Sequence, residues 1–334
     1  MVQNTGTGAS AVSQTVDAGN AVSAPVVDNI AARKHQPLPV RIGRHLKLYW
    51  QLWTFVLPAM IFVALFAYVP MYGLLLAFKD YDPRKGLIGG KFVGLKYFNQ
   101  FFQNPQFGTI LRNTINIAVQ TVAFGFVFPI ILALLINQIH SMKIKSFVQT
   151  ITYMPHFIST VVMVSLINIF LSPDTGMIGR FFGEQSLLAY PQFFAPIYWI
   201  TEVWQHCGWN CIIYLAALSA VDTSLYEAAK IDGAGRLQLI WSVDLPTILP
   251  TCVIMLILNM GGILNVGFDK TFLMQNALNL PGSEVLSTFI YKMGIINGQI
   301  SLSTAATLFN TLINFFFLVL TNFISKKFSD TSIF

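Results

Sequence analysis

The sequence predicts an all-α membrane protein with six transmembrane helices, on the basis of its composition and its pattern of apolar segments. Hydrophobic residues make up 54% of the 334 positions and charged residues only 10%, whereas soluble domains average about 25% charged residues. A helix needs about 20 predominantly apolar residues to cross the hydrocarbon core of a bilayer. Segments of this kind cover residues 52–78, 113–137, 147–171, 193–219, 247–268 and 303–325.

The segment before the first span, residues 1–45, is predicted to be a disordered cytoplasmic tail. Its first 32 residues contain no Lys or Arg and are rich in small and polar residues, so the basic region of a signal peptide is missing. Basic residues then gather just before the first span, namely Arg33, Lys34, Arg41, Arg44 and Lys47. Basic residues flanking the first span favour the cytoplasmic side, although the six basic residues of loop 79–112 oppose this orientation.

The remaining elements follow in order. Residues 46–109 form a first transmembrane helix with an outer loop, and residues 110–325 form a domain with the other five spans. Residues 326–334 are a C-terminal tail, which six spans return to the cytoplasm. Kinks are expected where proline lies in or near a span, because proline removes a backbone donor that neighbouring groups must replace. These prolines are Pro58, Pro70, Pro129, Pro155 and Pro250.

Charge and cysteine content exclude several classes of function. The net charge is +6, but the basic residues are scattered between apolar segments and form no basic face or aromatic-basic motif, so no nucleic-acid partner is expected. The three cysteines all lie in apolar segments, which argues against a disulfide framework. His206 with Cys207 and Cys211 lacks a fourth ligand, so no metal site is expected.

One short polar segment between the fourth and fifth spans stands out. Thr223 or Ser224 is predicted to cap a helix, and Gly233 and Gly235 are predicted to end it. A second helical piece, residues 236–243, is expected to end before a proline that opens the fifth span. Helix, glycine turn and helix on the cytoplasmic side form either a solvated surface turn or a docking element for a soluble partner.

The sequence of this segment resembles the EAA loop of type I ABC importer permeases, which have the MetI/MalF-like fold. That family's pattern is Glu-Ala-Ala, three residues, Gly, nine residues, then Ile-x-Leu-Pro. This chain matches it with Glu227, Ala228, Ala229, Gly233, Val243, Leu245 and Pro246, and Val replaces only the Ile. The resemblance implies a coupling helix that docks on an ATP-binding subunit. It assigns the coupling contacts to Glu227, Ala228, Ala229, Asp232 and Gly233.

The resemblance also implies a division of labour between subunits. The chain has no G-x-x-x-x-G-K-[ST] phosphate loop, so it is expected not to be an enzyme. ATP and Mg²⁺ would bind a separate cytoplasmic ATPase dimer, with no cofactor on this chain. A single EAA loop implies a second permease subunit, usually a different one. An extracytoplasmic solute-binding lipoprotein would deliver cargo, and the location would be the bacterial cell membrane.

Three further segments indicate the cargo. Residues 266–295, 151–162 and 70–86 resemble the LplB/YteP group within the carbohydrate-uptake branch. That group is associated with complex saccharides, so an oligosaccharide is the expected cargo. The outer loops 78–98 and 268–302 are candidate docking surfaces for the binding protein, although headgroup contact by their basic residues explains them equally well.

Polar residues within the spans are candidates for lining the cargo path. Glu202, Gln205, His206 and Trp209 share one helical face in span four, and Asn259 and Asn265 lie in span five. A sugar site needs amide or hydroxyl partners and aromatic rings, yet hydrogen bonds between helices explain buried Asn and Gln residues about as often. His156 is expected to satisfy a kinked backbone.

Other functions remain as alternatives. A permease of the same type could carry a non-sugar solute. A membrane-embedded transferase would need paired acid–base groups near one membrane face, and Glu202 with His206 is the sole close candidate. A self-contained secondary transporter would usually show internal repeats with broken helices.

Overall fold

A computed structural model describes residues 48–86, 89–182 and 185–328 of the chain. The predicted disordered tail, residues 1–45, lies outside these ranges, as does the C-terminal tail beyond residue 328. The chain divides into two units, residues 1–71 and 72–334. The first unit contributes helix α1 (Trp50–Val63), which contains no buried residue and continues through a π-helical turn, Ala64–Tyr68.

Among its described residues, the second unit is mainly helical and contains one small two-stranded ribbon. Strands β1 (Lys79–Asp80) and β2 (Lys91–Phe92) pair antiparallel. The other helices are α2 (Lys96–Phe102), α3 (Phe107–Asn137), α4 (Met142–Tyr153), α5 (Thr160–Leu171), α6 (Pro191–Ser219), α7 (Thr223–Ile231), α8 (Arg236–Leu239), α9 (Leu245–Met260), α10 (Phe268–Met274), α11 (Leu280–Ser283), α12 (Leu286–Tyr291) and α13 (Ile300–Phe328).

The predicted spans correspond to long apolar helices in the described residues. Four helices are long and apolar enough to cross a membrane, and two bent helix pairs bring the number to as many as six. The four are Trp50–Phe78, α3, Arg236–Met260 and Ile300–Lys326. The predicted all-α membrane fold is therefore confirmed, and two of the predicted spans need correction.

The third predicted span, residues 147–171, is broken and not continuous. A 3-10 turn, Met154–Phe157, follows α4, and α5 then leaves at an angle of 97°. Ile158 and Ser159 are extended at the break, and the Ser159 hydroxyl accepts a hydrogen bond from Val162 N–H. The Ile158 carbonyl would accept from Val162 N–H in a continuous helix, but the Ser159 hydroxyl takes that bond, and Gln205 Nε2 in α6 donates to the Ile158 carbonyl at 2.8 Å instead.

The fifth predicted span, 247–268, begins and ends earlier than expected. Helices α8 and α9 form one rod, Arg236–Met260, through a π-helical turn, Ile240–Asp244. The helical piece predicted to end before Pro246 therefore runs straight through it. Pro246 lies in the first turn of α9, directly after the π-helical turn, where its missing N–H is tolerated. The rod ends where Gly261 and Gly262 turn the chain.

Helices α3 and α6 hold the second unit together through two apolar clusters. Toward the start of α6, Ile117 of α3 packs with α5 and with Phe194 of α6. Toward its end, Ile136 of α3 packs with α6 and α9. Between them Gly208 of α6 lies so close to α4 that a Cβ there would be 1.9 Å from the Thr152 carbonyl oxygen. The broken third span is thus fixed against α6.

Gly208→Ala should destabilise the protein, because backbone atoms cannot yield to the added methyl group. The expected cost is about 1–3 kcal/mol, typical of overpacking, measured as a lower unfolding temperature of the purified protein in detergent. Gly108→Ala is the matched control, since a Cβ at this helical glycine meets no atom within 4 Å. Equal behaviour of the two variants would contradict the close contact.

Candidate functional site

Helix α7 carries the predicted coupling residues and begins with an acidic cap. The Asp222 carboxylate accepts a hydrogen bond from Ser224 N–H at 2.9 Å, and this bond lowers the pKa of Asp222. Asp222 is therefore the N-cap, and the prediction of Thr223 or Ser224 was wrong by one or two residues. The Asp side chain satisfies an N-terminal N–H that the helix leaves without a partner and favours the positive end of the helix dipole.

The end of α7 depends on one glycine in a left-handed conformation. Gly233 has φ +81°, its N–H donates to the Lys230 carbonyl, and Ala234 N–H reaches back to the Ala229 carbonyl at 2.9 Å. This closure is the usual way in which a glycine ends a helix. Gly235 has φ −75° and precedes α8, so only Gly233 requires glycine for its backbone angle.

Four of the five predicted coupling residues lie on the exposed surface of this segment, and Ala229 lies partly beneath it. Glu227, Ala228, Asp232 and Gly233 are exposed and Ala229 is partly exposed. Two large apolar side chains of the same loop also face outward, with Ile231 87% and Leu237 75% exposed. Exposed apolar groups of this size beside small residues are typical of a surface that a partner covers.

The opposite face of α7 is packed against the chain. Tyr226, Ala229 and Ala234 lie on an apolar cluster of Val221, Leu239 and Val243. A groove of about 670 Å³ runs beside the helix and includes Glu227 and Lys230 among its lining residues. Helix α7 is therefore anchored on one face and open on the other.

A second set of polar groups forms a chain of contacts across three elements. Lys270 Nζ of α10 lies 2.7 Å from Glu202 Oε2, and Glu202 Oε1 lies 3.4 Å from His206 Nε2. His206 Nδ1 is 3.0 Å from His156 Nδ1. The His156 ring in turn stacks on Trp209, with 4.4 Å between ring centroids.

Three of the six predicted path residues line one small cavity. Glu202, His206 and Asn259 contribute to a cavity of about 180 Å³ between α3, α6 and α9. Asn210 adds another amide, and the buried Thr121 hydroxyl has no hydrogen-bond partner in the described part of the chain. Carboxylate, imidazole, amide and hydroxyl groups together can bind a ligand rich in hydroxyls.

Two other predicted path residues have structural partners. Gln205 is buried and donates to the Ile158 carbonyl, so it satisfies the break in the third span. The side-chain oxygen Oδ1 of Asn265 accepts hydrogen bonds from the side-chain amides of Asn310 and Asn314 in α13, each at 3.0 Å. Gln205 and Asn265 therefore form hydrogen bonds between parts of the fold, which was the alternative to lining the cargo path. His156, expected to satisfy backbone, instead contacts the His206 and Trp209 rings.

Sequence reasoning missed Lys270, which it treated as a loop charge. The side chain is buried, and its Nζ also lies 3.3 Å from the Tyr198 carbonyl oxygen and 4.8 Å from the centre of the Tyr198 ring. In residues 48–86, 89–182 and 185–328, no three His, Cys, Asp or Glu side chains are grouped to hold a metal.

Lys270→Met should destabilise the protein more than Lys270→Met combined with Glu202→Gln. The single change leaves the Glu202 charge without its closest cation, at an expected cost of about 3 kcal/mol, whereas the double change removes both charges. Thermal unfolding in detergent measures the difference. Lys96→Met is the control, because Lys96 and Asp80 form an exposed pair at 4.0 Å. A double variant less stable than the single one would refute this account.

Comparison with known proteins identifies the family. Residues 125–330 match the family described as binding-protein-dependent transport system inner membrane component. The polygalacturonan/rhamnogalacturonan transport system permease protein YteP of Bacillus subtilis (strain 168) is 40% identical over 316 residues, covering 93% of this chain and 98% of the relative. Protein LplB of the same strain is 40% identical over 288 residues, covering 85% and 91%.

A solved structure agrees with these relatives. It is a bacterial alginate ABC transporter in complex with an alginate pentasaccharide-bound periplasmic protein. One of its chains is 35% identical, with a TM-score of 0.79, covering 88% of this chain and 100% of that one. The resemblance to the LplB/YteP group is thus confirmed. Since the relatives are permease subunits, the expectation that this chain is no enzyme is also confirmed. The chain belongs to the family of inner-membrane permease subunits of binding-protein-dependent ABC import systems.

Proposed function

We propose that this chain is one half of the membrane pathway of an ATP-driven importer for oligosaccharides, with acidic oligosaccharides as the first candidates. The observation that carries the proposal is the 40% identity with the polygalacturonan/rhamnogalacturonan permease over nearly the whole of both chains. The related transporter of the acidic polysaccharide alginate supports the same cargo class. The chain performs no chemistry on the sugar and moves it by alternating access.

Helix α7 receives the motion that ATP binding and hydrolysis produce in the ATPase subunits. The coupling segment 227–233 docks through the exposed Glu227, Ala228, Asp232 and Gly233 on a cytoplasmic ATPase dimer that binds ATP and Mg²⁺, and Ala229 packs beneath this surface. The exposed Ile231 and Leu237 side chains support this role, because a partner surface would remove both from water. Closure of the two ATPase subunits then moves the docked helices, and the spans follow as rigid bodies.

Two further partners complete the assembly. A second permease subunit, different from this one, provides the other half of the pathway. An extracytoplasmic lipoprotein delivers the sugar to the outer loops 78–98 and 268–302, and the periplasmic binding protein of the alginate transporter supports this arrangement. Both termini lie in the cytoplasm of a bacterial cell, which the five basic residues before the first span support.

Sugar passes the polar face of α6. Glu202, His206 and Asn259 offer hydrogen-bond partners in one cavity, and Trp209, which is 44% exposed and stacks with His156, offers an aromatic surface beside His206. Sugars combine hydroxyl groups with apolar C–H faces, and this pairing of groups suits both. Gln205 and Asn265 contribute by holding the helices in place.

Purification of the tagged chain in mild detergent from its native membranes tests the assembly. We expect a P-loop ATPase, a second six-span permease and a binding protein to co-purify. In liposomes, the complex should import oligogalacturonides or alginate oligomers with ATP and leave neutral oligosaccharides and glycerol phosphate outside. Import of a non-sugar solute would contradict the cargo, and transport by the chain alone would contradict the class.

A graded series at two glycines tests coupling through α7. Gly233→Ala should lower uptake, because its φ of +81° costs a non-glycine residue about 1–2 kcal/mol, and Gly233→Pro should abolish it. Gly235→Ala is the matched control, since its φ of −75° suits alanine and a Cβ there meets no atom within 4 Å. Uptake at a normal rate by Gly233→Pro would show that α7 is not the coupling element.

A further inference from the structure

We propose that Asp244 is a positioning residue that fastens the coupling helix α7 to the ends of two transmembrane helices. The inference rests on the proposed function, because it gives α7 the role of receiving motion from an ATPase. Asp244 lies between Val243 and Leu245, at the position x of Ile-x-Leu-Pro, where the family pattern specifies no residue. Its importance therefore comes from its surroundings and not from the motif.

The Asp244 carboxylate is fully buried and accepts hydrogen bonds from three neutral groups. Asn137 Nδ2 lies 3.2 Å from Oδ1, and Gln138 Nε2 lies 2.8 Å from Oδ2. The Tyr226 hydroxyl donates to Oδ1 as well. Burial and the hydrogen bond to Asp244 raise the pKa of Tyr226 to about 12, so the phenol keeps its proton and acts as the donor.

The three donors come from two parts of the fold. Asn137 is the last residue of α3 and Gln138 follows it, whereas Tyr226 lies on α7. Asp244 itself ends the π-helical turn that joins α8 to α9. One carboxylate therefore joins the cytoplasmic ends of two spans to the helix between them.

The cost of burying this charge argues for a specific role. A carboxylate removed from water is unfavourable unless its oxygens are well satisfied, and its partners here carry no charge. An apolar residue would join the adjoining cluster of Val221, Leu239 and Val243 without that cost. Hydrogen bonds, however, fix direction and distance in a way that apolar packing does not. A helix that transmits a displacement needs this kind of attachment.

Loss of the Asp244 hydrogen bonds should affect the transmission of motion from α7 to the spans more than it affects folding. Apolar contacts beneath Tyr226 and Ala229 keep α7 on the protein, while the Asp244 bonds determine whether α3 and α9 move when α7 moves. Without these bonds the ATPase would still dock and hydrolyse ATP. Less of its motion would reach the spans.

Asp244→Asn in the complete transporter, reconstituted in liposomes, tests the proposal. The ratio of sugar imported to ATP hydrolysed is the readout, with co-purified ATPase as the measure of assembly. We expect normal assembly and a ratio lowered about tenfold, because an amide at position 244 has one accepting oxygen and cannot accept from donors on both sides as the carboxylate does. Asp174→Asn is the matched control, because Asp174 lies exposed in a turn between α5 and α6.

A double variant that exchanges the carboxylate and the amide should restore the ratio of sugar imported to ATP hydrolysed. A variant that acted only by destabilising the protein would not be restored in this way. Asn137→Asp combined with Asp244→Asn returns a carboxylate to the Tyr226 hydroxyl, which lies 3.4 Å from Asn137 Nδ2, and returns an amide opposite it. The ratio should recover at least in part. An Asp244→Asn transporter that assembles and keeps the wild-type ratio would overturn the proposal.

If Asp244→Asn fails to accumulate, Tyr226→Phe decides the question, because it removes one donor and keeps the ring packing. A lowered ratio in an assembled complex supports the attachment, and an unchanged ratio refutes it. Failure of the proposed function is a separate result, since a wild-type complex would then show no ATP-dependent sugar import at all.

Discussion

The architecture depends on one constraint, which is that polar groups at membrane depth must find partners inside the protein. The hydrogen bond from Gln205 to the Ile158 carbonyl meets this constraint where the third span breaks and turns by 97°. Gly208, one turn further along α6, lets the broken span approach closely enough to form that bond. The bend, the close helix contact and the direction of α5 all follow from this junction.

Helix α6 links the two functions proposed for the chain. Its middle carries Glu202, His206 and Trp209, and its end leads through a short turn into α7 at an angle of 75°. The apolar clusters along α3 keep α6 aligned over its whole length. A displacement of α7 therefore has a short and well-packed route to the polar face where sugar is proposed to pass.

The sequence predicted the elements that depend on local composition, and missed those that depend on distant partners. Apolar length located the spans, and the end of α7 at Gly233 followed from the glycines after the helix. A kink was predicted at Pro155 and the chain does bend there, but the complete break at Ile158 was missed because its carbonyl is satisfied by a residue 47 positions away. Lys270 and Asp244 were missed for the same reason, since a charge in the sequence gives no sign of the group that will bury it. The prediction that a helix ends before Pro246 was wrong, because a π-helical turn just before this proline lets the helix continue through it.

The most direct test of the account is a photo-cross-linking amino acid placed at Ala228 in native membranes. Ala228 lies on the exposed face of α7, so we expect it to form a covalent adduct with an ATP-binding subunit. The same probe at the exposed Asp174, in the turn after α5, should form none. An adduct at Asp174 but not at Ala228, or no ATPase adduct while the complex remains intact, would contradict the claim that α7 couples this permease to ATP hydrolysis.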